Sequence, residues 1–232
     1  MSAAPKIKFA AILAVYLTAI WFLWNTPYIF PIKIFVVFLH EVSHALTAVL
    51  SGGSVESIEI NRLQGGYAIT RGGIPFLSAS AGYLGSLFWG VVLARLAMWR
   101  RVSGGLTLAI LGVLVLVTTA VWVRGEFGWL FGALFGAGCI LAGRFLPRTV
   151  SRGTVLLLGL TSILYAIWDI KDDIIDRPEV MSDAAILAEM TGFPTMFWGV
   201  IWIAVAMFVA WKELVRAFRR AGAPGREQAG GE

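Results

Sequence analysis

The stretch YIFPIKIFVVFLHEVSHALTAVL, residues 28–50, is long and apolar enough to cross a lipid bilayer, yet it carries a glutamate and two histidines in its second half. A helix needs about 20 residues to cross ~30 Å of hydrocarbon at about 1.5 Å per residue. Ionisable side chains at that depth are costly, and by default they indicate a functional site. This stretch therefore predicts a membrane-spanning helix with a site inside it.

The composition of the whole chain is that of a membrane protein. Its 232 residues are 58% hydrophobic and only 14% charged, and the mean hydropathy is +0.79. We predict an all-α polytopic membrane protein, with residues 1–211 as one transmembrane domain and residues 212–232 as a basic juxtamembrane helix with a disordered end. The predicted spans cover residues 7–24, 28–50, 74–98, 104–123, 127–143, 153–170 and 193–211.

The connection between the second and third spans has a different pattern. In SVESIEINRLQGGYAITRGG, residues 54–73, β-branched residues alternate with polar ones on both sides of Gly65 and Gly66. This alternation around a glycine pair is typical of a β-hairpin. The hairpin either adds a strand to an extended substrate or simply connects the two spans.

The net charge of +5 comes from basic residues that cluster beside the predicted spans. If seven helices alternate, eleven cations fall on one side: Lys33, Arg100, Arg101, Arg144, Arg148, Arg152, Lys212, Arg216, Arg219, Arg220 and Arg226. The other side receives Lys6, Lys8, Arg62, Arg71, Arg124, Lys171 and Arg177, together with the acidic connection over residues 171–190. This bias predicts an amino terminus outside and a carboxyl terminus in the cytoplasm, in a plasma (inner) membrane. Anionic lipid explains such charge better than nucleic acid, for which the sequence has no motif.

The polar residues of the second span have the spacing of a zinc site. His40 and His44 stand at i and i+4, so their imidazoles project from one helix face, and Glu41 follows the first histidine. In the H-E-x-x-H pattern, two imidazoles bind zinc and the glutamate takes a proton from the water that the zinc activates. The alternative is that these side chains hydrogen-bond between helices as packing contacts.

A catalytic zinc ion usually has three protein ligands, so one more residue is needed. All five aspartates lie between residues 169 and 183, and Asp169, Asp172, Asp173 and Asp176 fall on one helical stripe. Counted from the cytoplasmic side, Asp169 lies ~24 Å into the membrane, at about the depth of the two histidines. Asp169 is therefore the predicted third ligand. Asp172 or Asp173, or a group that the sequence does not reveal, are the alternatives.

With HEVSH in a membrane span and a Gly-rich hairpin after it, the chain resembles the site-2-protease family of intramembrane zinc metallopeptidases. SASAGYLGSLFWG resembles the family's A-G-P-x-x-N element, with Ala81 and Gly82 kept, Tyr83 in place of proline and Ser86 in place of asparagine. YAIWDIKDD stands where the family supplies its aspartate ligand, although the usual L-D-G sequence is absent. These departures are similar to those of a divergent bacterial and plant branch.

The resemblance covers residues from about 30 to 200. It implies zinc bound by His40, His44 and Asp169, with Glu41 as the catalytic base and acid. It also implies an endopeptidase that cleaves transmembrane helices of other proteins, so that its partners are a transmembrane protein substrate and membrane lipid. A metal-ion carrier or sensor would use the same histidines without Glu41 as a base. A non-catalytic relative would bind membrane helices without cutting them.

Overall fold

The computed structural model of the chain describes residues 4–176 and 182–221. The chain divides into two compact units, one formed by Met1–Phe30 and Met207–Glu232 and the other by Pro31–Ala206. The helices are α1 (Ala4–Leu23), α2 (Phe30–Leu50), α3 (Pro75–Met98), α4 (Gly104–Trp122), α5 (Glu126–Phe145), α6 (Arg148–Lys171), α7 (Asp183–Thr191) and α8 (Thr195–Ala221). The strands are β1 (Ser54–Ile60), β2 (Gly66–Arg71) and β3 (Val123–Arg124).

The predicted fold class is confirmed. Within the described residues seven helices are long and apolar enough to cross a membrane, and α7, with 9 residues, is too short. The largest differences from the predicted spans are at the basic ends: α6 begins at Arg148, and α8 continues to Ala221. Hydropathy alone places a boundary at the first cations, whereas a helix tolerates Lys and Arg where it leaves the hydrocarbon.

The predicted hairpin is also confirmed, and it belongs to a slightly larger sheet. Strand β1 pairs with β2 in antiparallel fashion, with Ile60 opposite Gly66. Strand β3 pairs with the other edge of β1 in parallel fashion, with Ile58 opposite Val123, so the strand order is β2-β1-β3. Two residues are too few to produce a recognisable alternation in the sequence, which is why β3 was not predicted.

Glycines allow two pairs of membrane helices in the unit Pro31–Ala206 to pack closely. A Cβ atom on Gly159 of α6 would lie only 2.6 Å from the backbone nitrogen of Ala94 in α3. A Cβ atom on Gly136 of α5 would lie 2.9 Å from the carbonyl oxygen of Gly112 in α4. Small residues at such crossings are the usual means by which helices associate in lipid. This packing fixes α3 beside α6, and both helices contribute residues around α2.

Helix α2 is the most enclosed of the spans. About 61% of its most apolar stretch is buried, and every residue from Ile34 to Leu39 is buried. The side chain environment of its polar half is therefore protein and not lipid, and Glu41 is only 4% exposed. Ionisable groups at membrane depth are tolerated in such surroundings.

In the unit formed by Met1–Phe30 and Met207–Glu232, α1 packs against the basic end of α8. The rings of Phe9 and Phe218 meet edge to face at 6.1 Å, and the Nζ atom of Lys6 lies 5.5 Å from the centroid of the Phe218 ring. These contacts place Lys6 beside the basic end of α8, whereas the charge bias assigns the two to opposite sides of the membrane, and the predicted orientation stays a prediction.

Three of the sequence-based expectations fall on or near undescribed parts of the chain. The structure does not describe the side chain of Asp176 or any part of Arg177. It also does not describe residues 222–232, where the disordered end of the tail is predicted. The predicted boundary between residues 211 and 212 stays a prediction. Helix α8 continues through these two residues without a break.

Candidate metal centre

Two helices bring three potential metal ligands together. His40 and His44 lie one turn apart on α2, and both face Asp183, the first residue of α7. The Nε2 atom of His40 is 3.1 Å from Oδ2 of Asp183, and Nε2 of His44 is 3.2 Å from Oδ1. Each of the three side chains is only 12% exposed, and their candidate ligand atoms all lie within 4.8 Å of one another. Two imidazoles and a carboxylate are a donor set that catalytic zinc sites use.

The predicted third ligand, Asp169, lies on the other side of His40. Its Oδ2 atom is 3.9 Å from Nδ1 of His40, whereas Asp183 faces Nε2 of the same ring. Asp169 is therefore beside the histidine without belonging to the group of three. The structure brings Asp183, which was not predicted, to the position expected for Asp169.

The two alternative ligands are also elsewhere. Asp173 accepts a hydrogen bond of 2.7 Å from the hydroxyl group of Tyr83, and Asp172 interacts electrostatically with Lys33. Both residues lie in a π-helical turn, Asp172–Asp176, that follows α6. The depth comparison covered only the helical stripe of aspartates that begins at Asp169, so it did not consider a carboxylate that a separate short helix delivers.

Local sequence signals define the helix that carries Asp183. The side chain of Ser182 accepts a hydrogen bond from the backbone nitrogen of Ala185, which caps the first turn. The helix ends at Gly192, whose φ of 78° is the left-handed conformation of a C-cap. This combination of an N-cap serine, an acidic first turn and a terminal glycine is the signal in the sequence that could have revealed α7.

Hydrogen bonding fixes the orientation of one histidine ring. The Nδ1 atom of His44 lies 2.7 Å from the carbonyl oxygen of Ser78, and the hydroxyl group of Ser78 donates to the carbonyl oxygen of His44 at 3.2 Å. A proton on Nδ1 of His44 leaves Nε2 as the basic nitrogen that faces Asp183. For His40, the corresponding group beside Nδ1 is Oδ2 of Asp169, at the longer distance of 3.9 Å.

The three groups fit a zinc ion. In the part of the chain that the structure describes, Oδ2 of Asp183 is buried without a hydrogen-bond partner, and a cation between the two Nε2 atoms would satisfy it. Burial by itself raises the pKa of Asp183, but the imidazoles of His44 and His40 outweigh burial and hold this pKa below its ordinary value. The imidazoles lower this pKa in their protonated form, and a bound cation would take over that role for a carboxylate ligand, which must be ionised.

Helix α3 approaches the site so closely that only glycine fits at position 82. A Cβ atom on Gly82 would lie 2.5 Å from Oδ2 of Asp183 and would also overlap the imidazole of His40. The next residue, Tyr83, places its ring 4.8 Å from the His40 ring in an edge-to-face contact and is only 2% exposed. Gly82 and Tyr83, which stand in the A-G-P-like element, thus form one wall of the site.

The hairpin reaches Glu41 on the neighbouring part of α2. A Cβ atom on Gly66, the first residue of β2, would lie 2.8 Å from Oε1 of Glu41. Within the described residues β2 is an edge strand, because its only strand partner is β1. Glu41 therefore lies between the imidazole of His40 and the start of an edge strand.

One comparison with known proteins identifies the family of the chain. No curated protein and no solved structure matches the chain at a significant level. The family model described as Peptidase M50B-like matches residues 13–212, which include α2, the hairpin and α7. This match covers most of the chain and includes all the residues of the candidate centre. The chain belongs to the peptidase M50B-like family, within the site-2-protease group of membrane peptidases.

Proposed function

We propose that the protein is a zinc-dependent intramembrane endopeptidase that hydrolyses peptide bonds in or near the transmembrane helices of other membrane proteins. The observation that carries this proposal is the convergence of His40, His44 and Asp183 next to the buried carboxylate of Glu41. Membership in a peptidase family and the seven apolar helices support the same conclusion.

In this proposal His40, His44 and Asp183 hold the zinc ion, and Glu41 moves the proton. Zinc, when bound, supplies Lewis acidity and lowers the pKa of water to about 7. The carboxylate of Glu41 accepts the proton of the attacking water and donates it to the amide nitrogen that leaves. Because Glu41 is buried, the transferred proton stays in the site and is not lost to solvent.

One histidine ring is held by a hydrogen bond in the orientation that this chemistry needs, and a carboxylate lies near the other. The carbonyl oxygen of Ser78 keeps a proton on Nδ1 of His44, so that Nε2 is available as a ligand. We assign Asp169 the same role toward Nδ1 of His40, on the basis of the 3.9 Å contact. Asp169 is then a positioning residue, and Asp183 replaces it as the third ligand.

The free edge of β2 is suited to present the substrate. A peptide bond is accessible to hydrolysis only after its helix has unwound, and the backbone of the unwound segment then needs hydrogen-bond partners. An extended segment that pairs with β2 would receive such partners independently of its sequence. It would also run toward Glu41, since Gly66 begins the strand there.

The membrane location follows from the same features. Seven long apolar helices within residues 4–176 and 182–221, together with the family, indicate an integral membrane protein. We propose a plasma (inner) membrane location with the carboxyl terminus in the cytoplasm, because α8 ends in a cluster of cations, which cytoplasmic segments favour.

The test is a comparison of zinc content, cleavage and zinc transport in the full-length protein reconstituted into vesicles with a single-span reporter protein. The proposal predicts one zinc ion per chain, cleavage of the reporter and no zinc flux. Vesicles that move zinc without cleaving the reporter would instead support a carrier. Binding of the reporter without either activity would support a non-catalytic relative.

A further inference from the structure

An apolar groove lies on the unit Pro31–Ala206, away from the residues of the metal centre. Helices α2, α3 and α4 form its walls, and we call it the α4 groove because α4 lines it along most of its length. At one end it is bounded by Val102 and Leu106, and at the other by Thr118 and Val42. None of His40, Glu41, His44 or Asp183 lines it.

The α4 groove is too small to enclose an α-helix. Leu106 and Thr118 lie about 18 Å apart along α4, at ~1.5 Å per residue. A helix of that length and about 10 Å in diameter occupies roughly 1,400 Å³. The cavity volume of the groove is about 250 Å³. A flexible hydrocarbon chain fits this space better than a substrate helix does.

The lining of the α4 groove is apolar along its length. Phe38 and Leu39 of α2 and Trp89 and Leu93 of α3 face it together with the aliphatic side chains of α4. The hydroxyl group of Thr107 donates to the carbonyl oxygen of Ser103, so it does not offer a hydrogen bond to an occupant. The walls therefore match an acyl chain and not a polar ligand.

The Val102 end of the groove is strongly basic. Arg100 and Arg101 immediately precede Val102 and are exposed. The Nη2 atom of Arg152 donates a hydrogen bond of 2.8 Å to the carbonyl oxygen of Val102, which brings a third guanidinium group to this end. Trp99 beside them is 56% exposed, as is typical of a residue at the membrane interface.

We propose that the α4 groove binds an anionic phospholipid, with an acyl chain along α4 and the phosphate group beside Arg100, Arg101 and Arg152. Basic pockets between membrane helices recognise anionic lipid head groups in this way. The acyl chain supplies contacts that the side chains on the groove walls would otherwise lack. The proposal concerns this surface alone and does not depend on peptidase activity.

Native mass spectrometry of the full-length protein in detergent tests the proposal directly. The protein is titrated with phosphatidylglycerol or with phosphatidylcholine that has the same acyl chains. We expect at least one phosphatidylglycerol to bind about 100-fold more tightly than phosphatidylcholine, since each of the three nearby arginines contributes roughly fivefold. Equal binding of the two lipids would contradict the proposal.

Two variants separate the acyl-chain part of the site from the charged part. Leu106→Trp fills the groove and is expected to abolish the preferential binding. The double variant R100Q/R101Q is expected to weaken the binding of phosphatidylglycerol by about tenfold or more and to leave the binding of phosphatidylcholine unchanged. The control R62Q/R124Q removes the same charge from the hairpin region and should bind like the wild type.

A second measurement locates the lipid in the groove. Phosphatidylglycerol with brominated acyl chains quenches the fluorescence of nearby tryptophans, and Trp89 lines the groove. The part of the fluorescence that the brominated lipid quenches is expected to disappear in Trp89→Phe. Lipid binding measured by mass spectrometry is expected to be kept in this variant. If this quenching persists in Trp89→Phe, or if Leu106→Trp still binds the lipid preferentially, the lipid sits elsewhere and the proposal is wrong.

Discussion

Oδ2 of Asp183 lies 3.1 Å from Nε2 of His40, so the first residue of the short helix α7 meets the middle of the membrane helix α2. The opposite ring nitrogen of His40, Nδ1, faces Asp169 at 3.9 Å. One imidazole thus lies between two carboxylates that have different geometry. A metal ion at Nε2 would be held by Asp183 as well, whereas Asp169 lies on the opposite side of the ring, where an outer partner of a ligand would stand.

Replacement of the two aspartates is expected to distinguish their roles. Asp183→Ala removes one of three ligands, so the purified variant is expected to contain no stoichiometric zinc. Asp169→Ala is expected to keep the ion but to bind it about 10–100-fold more weakly, because it removes an outer partner of a ligand. Metal analysis and competition with a chelator measure both effects. Zinc retained in Asp183→Ala but lost in Asp169→Ala would reverse the assignment.

Glu41→Gln is expected to separate metal binding from catalysis. The amide keeps the size of the side chain but cannot accept the proton, so reporter cleavage is expected to fall by about 10²–10⁴-fold. Zinc content is expected to stay at the wild-type level, because Glu41 is not among the three grouped ligands. Glu59→Gln in β1 is a matched control that should cleave normally. Turnover that survives in Glu41→Gln would refute the proposed proton transfer.

The lack of space at Gly82 gives a prediction for α3. In Gly82→Ala the new methyl group meets Oδ2 of Asp183 and the His40 ring, so zinc content is expected to fall together with the unfolding temperature. Gly138→Ala is the matched control, since a Cβ atom there has nothing within 4 Å. A Gly82→Ala protein with full zinc content and unchanged thermal unfolding would show that α3 is not packed against the site as described.

The sequence predicts the framework of this protein because its signals are local. Each span is a continuous apolar run, and the histidines of the H-E-x-x-H motif share a helix face through spacing alone. Gly65 and Gly66 mark the hairpin for the same reason. These features depend on residues that are close in the chain, so they follow without knowledge of helix packing.

Which carboxylate joins the two histidines depends on tertiary structure, and the structure groups Asp183 with them where the sequence predicts Asp169. Asp169 has the expected depth on a membrane helix, and the structure does place it beside His40. Asp183 reaches the same histidine from a helix that does not span the membrane, so a depth count along spans cannot detect it. Its capping serine and terminal glycine predict a helix there but not the position of that helix.

The contact between Gly66 and Glu41 leads to a test of substrate presentation by β2. In Gly66→Ala the methyl group would meet Oε1 of Glu41 and the carbonyl oxygen of Glu59, so the start of β2 must move away from the carboxylate. Cleavage is expected to fall at least tenfold with zinc content unchanged, because none of the three grouped ligands contacts Gly66. The comparison of KM with kcat then shows whether substrate pairing or the proton transfer is affected.

Gly65→Ala is a close control for this variant, since the nearest atom to its Cβ is Nδ2 of Asn61 at 3.2 Å, on a side chain that can move. The control is expected to keep cleavage near the wild-type level. If β2 is only a connection between spans, the loss in Gly66→Ala will lie in kcat alone, through the displaced carboxylate of Glu41, and KM will match that of Gly65→Ala. A selective loss in Gly66→Ala that includes a raised KM, with zinc retained, is the result that the proposed strand pairing requires, because only Gly66 lies where the edge strand meets the catalytic carboxylate.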